Sequence, residues 1–406
     1  MDSNLIKGFY TGCVKSNNIG DDILFFVFLH LLKNTIESKF NSLCQIKEVP
    51  ELGVVEGKGW INQSGIGVIG GGSLIHPGEM SYTIPVLNIN DFENRSLVFG
   101  TGVSDSPDYQ IPYNNRQKIL SYDFSDIGFP MNPLMVKNSE IIKKIKNGGL
   151  RGPIDSRILG IDGEKYIYDP GLIAGKMIPF NKEIKRSNTI GINLCHVTGD
   201  NRISKPGEDF ISYTRRIFSE IVDLCRILLD SGYNINFYSM AKGEEKIHEK
   251  LLESTDLIKK YGDKITIHNY LDFSSLLSLL SGFKISLALR LHGNILANSV
   301  ETPSINLMYN FKALNYMEST NQRCLGIPTD QNLTSANLIE RINYIEKNYK
   351  GLLKNLREHT KNAKKLHSES LEAVLKNVGI LSEYSYQLEH NNTHSLYSIF
   401  QIKTKK

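Results

Sequence analysis

The chain is poor in cysteine, with five in 406 residues, an odd number scattered at positions 13, 44, 195, 225 and 324 and forming no CxxC pair. A disulfide framework or a zinc ribbon does not fit that pattern, and a reducing compartment does. A long apolar run is also missing. The most apolar stretch, residues 23–32 (ILFFVFLHLL), has ten residues and contains His30, about half of what spans a bilayer. The opening Met1-Asp2-Ser3-Asn4 is polar and acidic, unlike a secretory signal. The expectation is a soluble, cytoplasmic protein. Charge of one sign is lacking too: 47 Lys and Arg stand against 43 Asp and Glu, a net +4. Residues 346–406 hold 11 Lys and Arg against 6 Asp and Glu, so everything before them nets −1. Without a global basic field no nucleic-acid partner is expected, although a local anion site is compatible. His76, His196 and His292 lie far apart, so no metal is expected, and GxSxG is absent.

What is present is globular: 40% hydrophobic, 22% charged and 9% aromatic residues, in a length that suggests two to three domains. The second half alternates apolar strand and amphipathic helix. Strands are expected at residues 189–194, 235–239, 265–268, 284–289 and 304–308, and helices at 208–229, 244–260, 274–281 and 292–299. Such alternation implies a parallel sheet covered on both faces. The first half repeats the style less cleanly, with strands at 7–14, 67–69 and 96–99, a helix at 21–38, and an order of elements over 141–170 that the pattern does not fix. Polar residues 179–187 look like an interdomain linker. The expected fold class is α/β, two Rossmann-like domains facing across a cleft: an N-terminal domain 1–180 on the acceptor side, a C-terminal domain 188–345 on the donor side, and a basic helical extension 346–406. The tail after residue 383 fits a loosely packed terminus or a membrane-surface contact.

In open α/β sheets ligands bind beyond the carboxyl ends of the strands. Four stretches stand there. Arg290-Leu291-His292-Gly293 follows an apolar strand and opens a helix. It offers a permanently charged fork, free N–H groups, a group that titrates near neutrality and a close backbone approach. A structural ion pair and a helix cap are the plainer reading. Asn18-Ile19-Gly20-Asp21-Asp22 puts a flexible residue and two acids at a helix start, where one acid is enough for a cap. Gly70-Gly71-Gly72-Ser73-Leu74-Ile75-His76 and Gly100-Thr101-Gly102 are glycine-rich strand ends that suggest one shared groove, though neither is a P-loop or GxGxxG. Arg151 beside Gly152-Pro153 is a second positive charge, or simply a surface arginine at a turn. Cys195 beside His196 reads as a core cysteine.

Taken in order, Asn18-Ile19-Gly20-Asp21, Gly70-Gly71-Gly72-Ser73-Leu74, Gly100-Thr101-Gly102-Val103, Arg151-Gly152-Pro153 with Ser156 and Leu159, Asp169-Pro170, Gly191-Ile192-Asn193, Arg290-Leu291-His292-Gly293, Pro303, and Tyr309 with Lys312 resemble the polysaccharide pyruvyl transferase family. Gly152 departs from it, where many relatives carry Asp. The resemblance implies a GT-B-like fold. It also implies transfer of pyruvate from phosphoenolpyruvate, the only donor and with no cofactor, onto two hydroxyls of a sugar or lipid-linked glycan. It places phosphoenolpyruvate on Arg290, Leu291, His292 and Gly293 and on Arg151. Chemically, His292 would protonate the enol carbon, while Arg290 and the helix N-terminus hold the departing phosphate. Asp21 or His76 would orient or deprotonate an acceptor bound by Asn18, Gly20, Asp22, Gly71, Gly72 and His76. The competing readings are a GT-B glycosyltransferase using a nucleotide sugar, on the same architecture, and a non-catalytic sugar-binding protein. The basic extension would bring the enzyme to a membrane-bound glycan intermediate.

Overall fold

The computed structural model describes residues 5–13, 17–39, 43–49, 64–75, 84–103, 133–161, 165–197, 204–205, 207–378, 386–388 and 402–404. Its strands are β1 (Leu5–Thr11), β2 (Leu43–Val49), β3 (Ile66–Ile69), β4 (Gly72–Ile75), β5 (Ser96–Val103), β6 (Asn147–Leu150), β7 (Thr189–Asn193), β8 (Asn234–Tyr238), β9 (Ile265–His268), β10 (Ile285–Ala288), β11 (Ser304–Met308) and β12 (Gly326–Pro328). The helices are α1 (Ile19–Lys39), α2 (Phe92–Arg95), α3 (Pro133–Lys144), α4 (Pro153–Ile158), α5 (Ala174–Met177), α6 (Phe210–Asp230), α7 (Glu245–Glu253), α8 (Leu257–Tyr261), α9 (Phe273–Gly282), α10 (Leu291–Ser299), α11 (Phe311–Ser319) and α12 (Ser335–Asn377).

These elements form two parallel six-stranded sheets. The first runs β2-β1-β3-β5-β4, with β6 also paired to β5. The second runs β12-β11-β10-β7-β8-β9, all parallel. Counted within the second sheet, that order is 3-2-1-4-5-6, the doubly wound arrangement whose direction of winding reverses between its first and fourth strands, here β7 and β10. Strands β7, β10 and β11 are apolar and fully buried (TIGIN, ISLA, SINLM), as the middle of a sheet covered on both faces requires. This is the GT-B arrangement expected from the sequence, two Rossmann-like halves with helices at the C-terminal end.

The halves share a core. Ile23, Leu24 and Phe28 of α1 and Phe99 of β5 pack in one apolar cluster with Tyr238, Leu276, Phe283, Ile295 and Leu296 of the second half and with Ala363, Leu371 and Val374 of α12. Each such side chain contributes roughly 1.5–3 kcal/mol on burial. A second cluster fills the far side of the second sheet and takes in Leu338, Ile342 and Ile345 of α12. One 43-residue helix is therefore rooted in both cores and passes position 346 without a break.

Several elements differ from the sequence expectation. Glycine-rich Gly72–Ile75 is a strand, because Gly72 takes φ +95° and then pairs with Thr101 of β5. The charged segment 244–260 is two helices separated by residues 254–256. The order left open over 141–170 is helix, strand, short helix, then the short 3-10 turn Pro170–Ile173. No helix among the described residues is long and apolar enough to cross a membrane.

Candidate active site

The carboxyl ends of β7 and β10 meet at the point where the second sheet reverses its winding. Asn193, the last residue of β7, ties this point together. Its Oδ1 accepts the Arg290 backbone N–H at 3.2 Å, and its Nδ2 donates to the Tyr238 carbonyl and to Glu244 Oε2, both at 3.0 Å. Glu244, 4% exposed, also accepts the backbone N–H groups of Met240 (2.8 Å) and Ala241 (3.3 Å). Its Oε1 receives Arg290 Nε at 2.6 Å. One buried carboxylate thus organises the loop after β8 and fixes the aim of the Arg290 side chain. The two Nη groups of Arg290 donate no hydrogen bond to the described residues. Arg290 itself is the N-cap of α10, so a charged fork stands beside a helix N-terminus. Cys195, at the end of the neighbouring strand, is buried, and burial pushes its thiol up to about 12 despite the nearby Arg290.

His292 points the other way, into the junction of the halves. Its residue is 8% exposed. Nε2 lies 3.6 Å from Asp169 Oδ2 and Nδ1 lies 3.9 Å from Asp21 Oδ1, so the ring sits between two carboxylates of the first half. Asp169 caps the turn Pro170–Ile173 by accepting the Gly171 N–H through Oδ1 at 2.8 Å. Its other oxygen and His292 Nε2 are buried, face one another and make no hydrogen bond. Burial pushes the Asp169 carboxyl up, but His292, Arg151 and the Gly171 N–H outweigh it and hold the group below the usual carboxylate range. Asp21, on the first turn of α1, accepts from Asn18 Nδ2 at 2.6 Å.

Of the residues singled out from the sequence, this junction gathers Asn18, Gly20, Asp21 and His292. Asn18 caps α1 through the Gly20 N–H and forms a bridge to Ala241 across the halves. Gly20 is required by close packing, since a Cβ there would lie 2.5 Å from His292 Cβ and Nδ1. Asp22 stands half-buried on the first turn of α1. Gly293 packs against Ala288 and the Tyr238 hydroxyl, and the Leu291 side chain is in the shared core. Arg151 is no surface arginine: it is 1% exposed, donates to Ser73 Oγ at 3.2 Å and lies 3.7 Å from Asp155. The glycine-rich strand ends are closely packed, and Gly72 lies beside Asp21, where a Cβ would sit 3.6 Å from Oδ1. The space beside Gly70 and Gly71 is filled by Tyr10 and Pro170, and that beside Gly102 by the Arg151 guanidinium. Where many pyruvyl transferases carry Asp, Gly152 makes room for Asn315 of the second half, whose amide accepts from the Ile154 N–H at 2.9 Å and donates to Asp155 at 2.6 Å. His76 lies outside the described residues. Glu244 is the site residue that sequence reasoning missed, and Asp169 was named only within the Asp169-Pro170 motif, without a role. Glu244 was hidden in a charged helical segment, and Asp169, standing before Pro-Gly, also carries a cap signature. No group of three or more His, Cys, Asp or Glu residues among the described ones is arranged to hold a metal.

A GT-B fold carrying a fixed cation at the switch point of its second sheet and an acid–imidazole–acid array at the junction is what the structure defines. Neither a family model nor a curated protein matches the chain. Among solved structures it is similar to a UDP-N-acetylglucosamine 2-epimerase, with 8% identity, a TM-score of 0.50, and coverage of 94% of this chain and 98% of that one. It is also similar to MnaA of S. aureus solved with UDP (10%, TM-score 0.49, 94% and 98%) and to heptosyltransferase WaaC of E. coli with ADP (12%, TM-score 0.41, 84% and 100%). At such identities the likeness is one of fold. These findings overturn the resemblance to polysaccharide pyruvyl transferases, for nothing in them points to that family. The site agrees with the correction. Arg151, which that resemblance placed on the donor, is 1% exposed and paired with Asp155 in the first half.

Proposed function

We propose that the protein is a GT-B glycosyltransferase that takes a nucleoside-diphosphate sugar as donor and a glycan hydroxyl, free or lipid-linked, as acceptor. The observation that carries this reading is Arg290: its Nε is held by Glu244, while both Nη groups are left for two oxygens of a diphosphate at the start of α10. In the transfer, the bond from the anomeric carbon to the diphosphate oxygen breaks and a bond to the acceptor oxygen forms. Arg290 and the α10 N–H groups neutralise the charge growing on the leaving diphosphate. His292 takes the proton released by the acceptor hydroxyl, and Asp169 stabilises the resulting imidazolium from 3.6 Å. Asp21 holds the other side of the ring. The GT-B fold is the setting for this chemistry and does not by itself choose the donor.

The test is a thermal-shift panel of UDP, ADP and GDP, followed by nucleotide release from the matching sugar donors. At least one nucleoside diphosphate should raise the melting temperature, and Arg290→Ala should abolish the rise. If none of the three raises it, the reading is wrong.

A further inference from the structure

The opposite end of α10, nine residues from the cleft, carries a second cluster of chemistry. A pocket of about 280 Å3 lies there, lined by Lys176 of α5, Glu301 just beyond α10, and Arg357, Thr360, Lys361 and Lys364 of α12. The volume is near the lower end of the ~300–1,000 Å3 usual for small-molecule sites. The α12 residues recur at i, i+3, i+4 and i+7, which sets them on one helix face. Four cations meet one carboxylate. Glu301 is taken by Arg357, with Nε and Nη2 both at 2.8 Å, and by Lys176 at 3.6 Å. Lys361 and Lys364 are exposed and make no ion pair with the described residues. Thr360 is the independent sign. It is 3% exposed, lines the pocket, and its hydroxyl has no hydrogen bond. A helical Ser or Thr in such a place usually returns its hydroxyl to the carbonyl four residues back, as Ser370 of the same helix does to Leu366. A pocket of about 250 Å3 adjoins this one, shares Lys176 and Glu301, and adds Lys182, Arg186 and the apolar Phe180 and Ile184.

We propose that this pocket is an anion site outside the cleft, binding a phosphoryl group, as mono- or diphosphate, whose larger body extends into the adjoining pocket. Lys361 and Lys364 supply the charge that Glu301 leaves uncompensated, and the Thr360 hydroxyl donates to a phosphate oxygen. The two sources of such a group are a lipid headgroup and a soluble phosphorylated compound.

The experiment uses the full chain in the Arg290→Ala background, which removes the cleft's own diphosphate contact, so that the outcome is independent of the glycosyltransferase reading. Calorimetry with inorganic pyrophosphate should show binding that Lys361→Glu with Lys364→Glu weakens at least ~tenfold. Thr360→Val should weaken it several-fold while leaving the melting temperature of the free protein unchanged or raised, because an unbonded buried hydroxyl is removed. Lys246→Glu with Lys250→Glu, on α7, makes the same change in net charge and should leave binding intact. Pelleting with phosphatidylcholine vesicles with and without phosphatidic acid separates the sources: binding only to the acidic vesicles assigns a lipid headgroup, and pyrophosphate binding without pelleting assigns a soluble compound. Absence of both, or equal loss in the α7 control, overturns the proposal.

Discussion

Glu244 has four partners, of which Asn193 and Met240 are buried and Ala241 and Arg290 half-buried. Replacing it by Ala takes from Asn193 Nδ2 one of its two acceptors and leaves the buried Met240 N–H and the part-buried Ala241 N–H without theirs, beside an unpaired Arg290. That should cost about 2–5 kcal/mol of stability, read from denaturant unfolding. Arg290→Ala leaves the buried Glu244 carboxylate with N–H partners alone, so it should lower stability by about 1–3 kcal/mol as well, and nucleoside-diphosphate affinity should fall roughly 10- to 100-fold by calorimetry. Two buried histidines set the acid response. Burial holds His248 and His367 down to about 4, against an ordinary value of about 6.5. Below the ordinary value the unfolded chain takes up protons that the folded state refuses, so stability should decline as pH falls from about 6.5 to about 4, by about 1.4 kcal/mol per unit for each histidine. Asp169, held below the usual range, keeps its contribution across that window and loses it only as pH falls through its depressed value. A His367→Leu protein should show a visibly flatter curve of melting temperature against pH; an identical slope would contradict this. At this scale the sequence exposed Arg290, His292 and Asp21, whose residue types announce their chemistry. Glu244 and Asp169 act through what they hold, which becomes visible only when strands distant in sequence are brought together.

Between elements, the first turns of α1 and α10 meet through Gly20 and His292. A Gly20→Ala side chain must displace the imidazole, and overpacking of this kind costs typically 1–3 kcal/mol. The same change should reduce turnover, since it moves the ring from between Asp21 and Asp169, and a structure of the variant would show the displaced ring. Strands and helices of the second half were legible because their apolar residues keep the period of the element they build. The first half was less so, since β4 starts at a glycine with positive φ and β6 begins Asn-Gly-Gly. Glycine erases periodicity without saying what fills the space it leaves. Here that space belongs to Tyr10, Pro170, Arg151 and Asn315, so these glycines record close packing.

Across the whole molecule, the order of motifs led to the right architecture and to a family that the structural neighbours do not support. Fold follows from the winding of strands, which many sequences share, while the donor is chosen by a few contacts at one switch point. The shared core has a further consequence for unfolding. α1 and β5 of one half pack with α9 and α10 of the other, and Asn315 and Asn18 each tie one half to the other through polar contacts. Calorimetry should therefore give a single cooperative transition, and two resolved transitions would show that the halves are separate units.

Helix α12 turns this into a statement about motion. At about 1.5 Å per residue its 43 residues extend for ~65 Å, with one stretch bedded behind the second sheet and another beside β5. The two halves are thus threaded on a common axle. Swinging them apart as jaws would uproot one end of it, whereas rotation about its length disturbs neither seat. Substrate should then enter by a twist of one half over the other, and a disulfide clamp that blocks rotation would trap whatever the cleft holds.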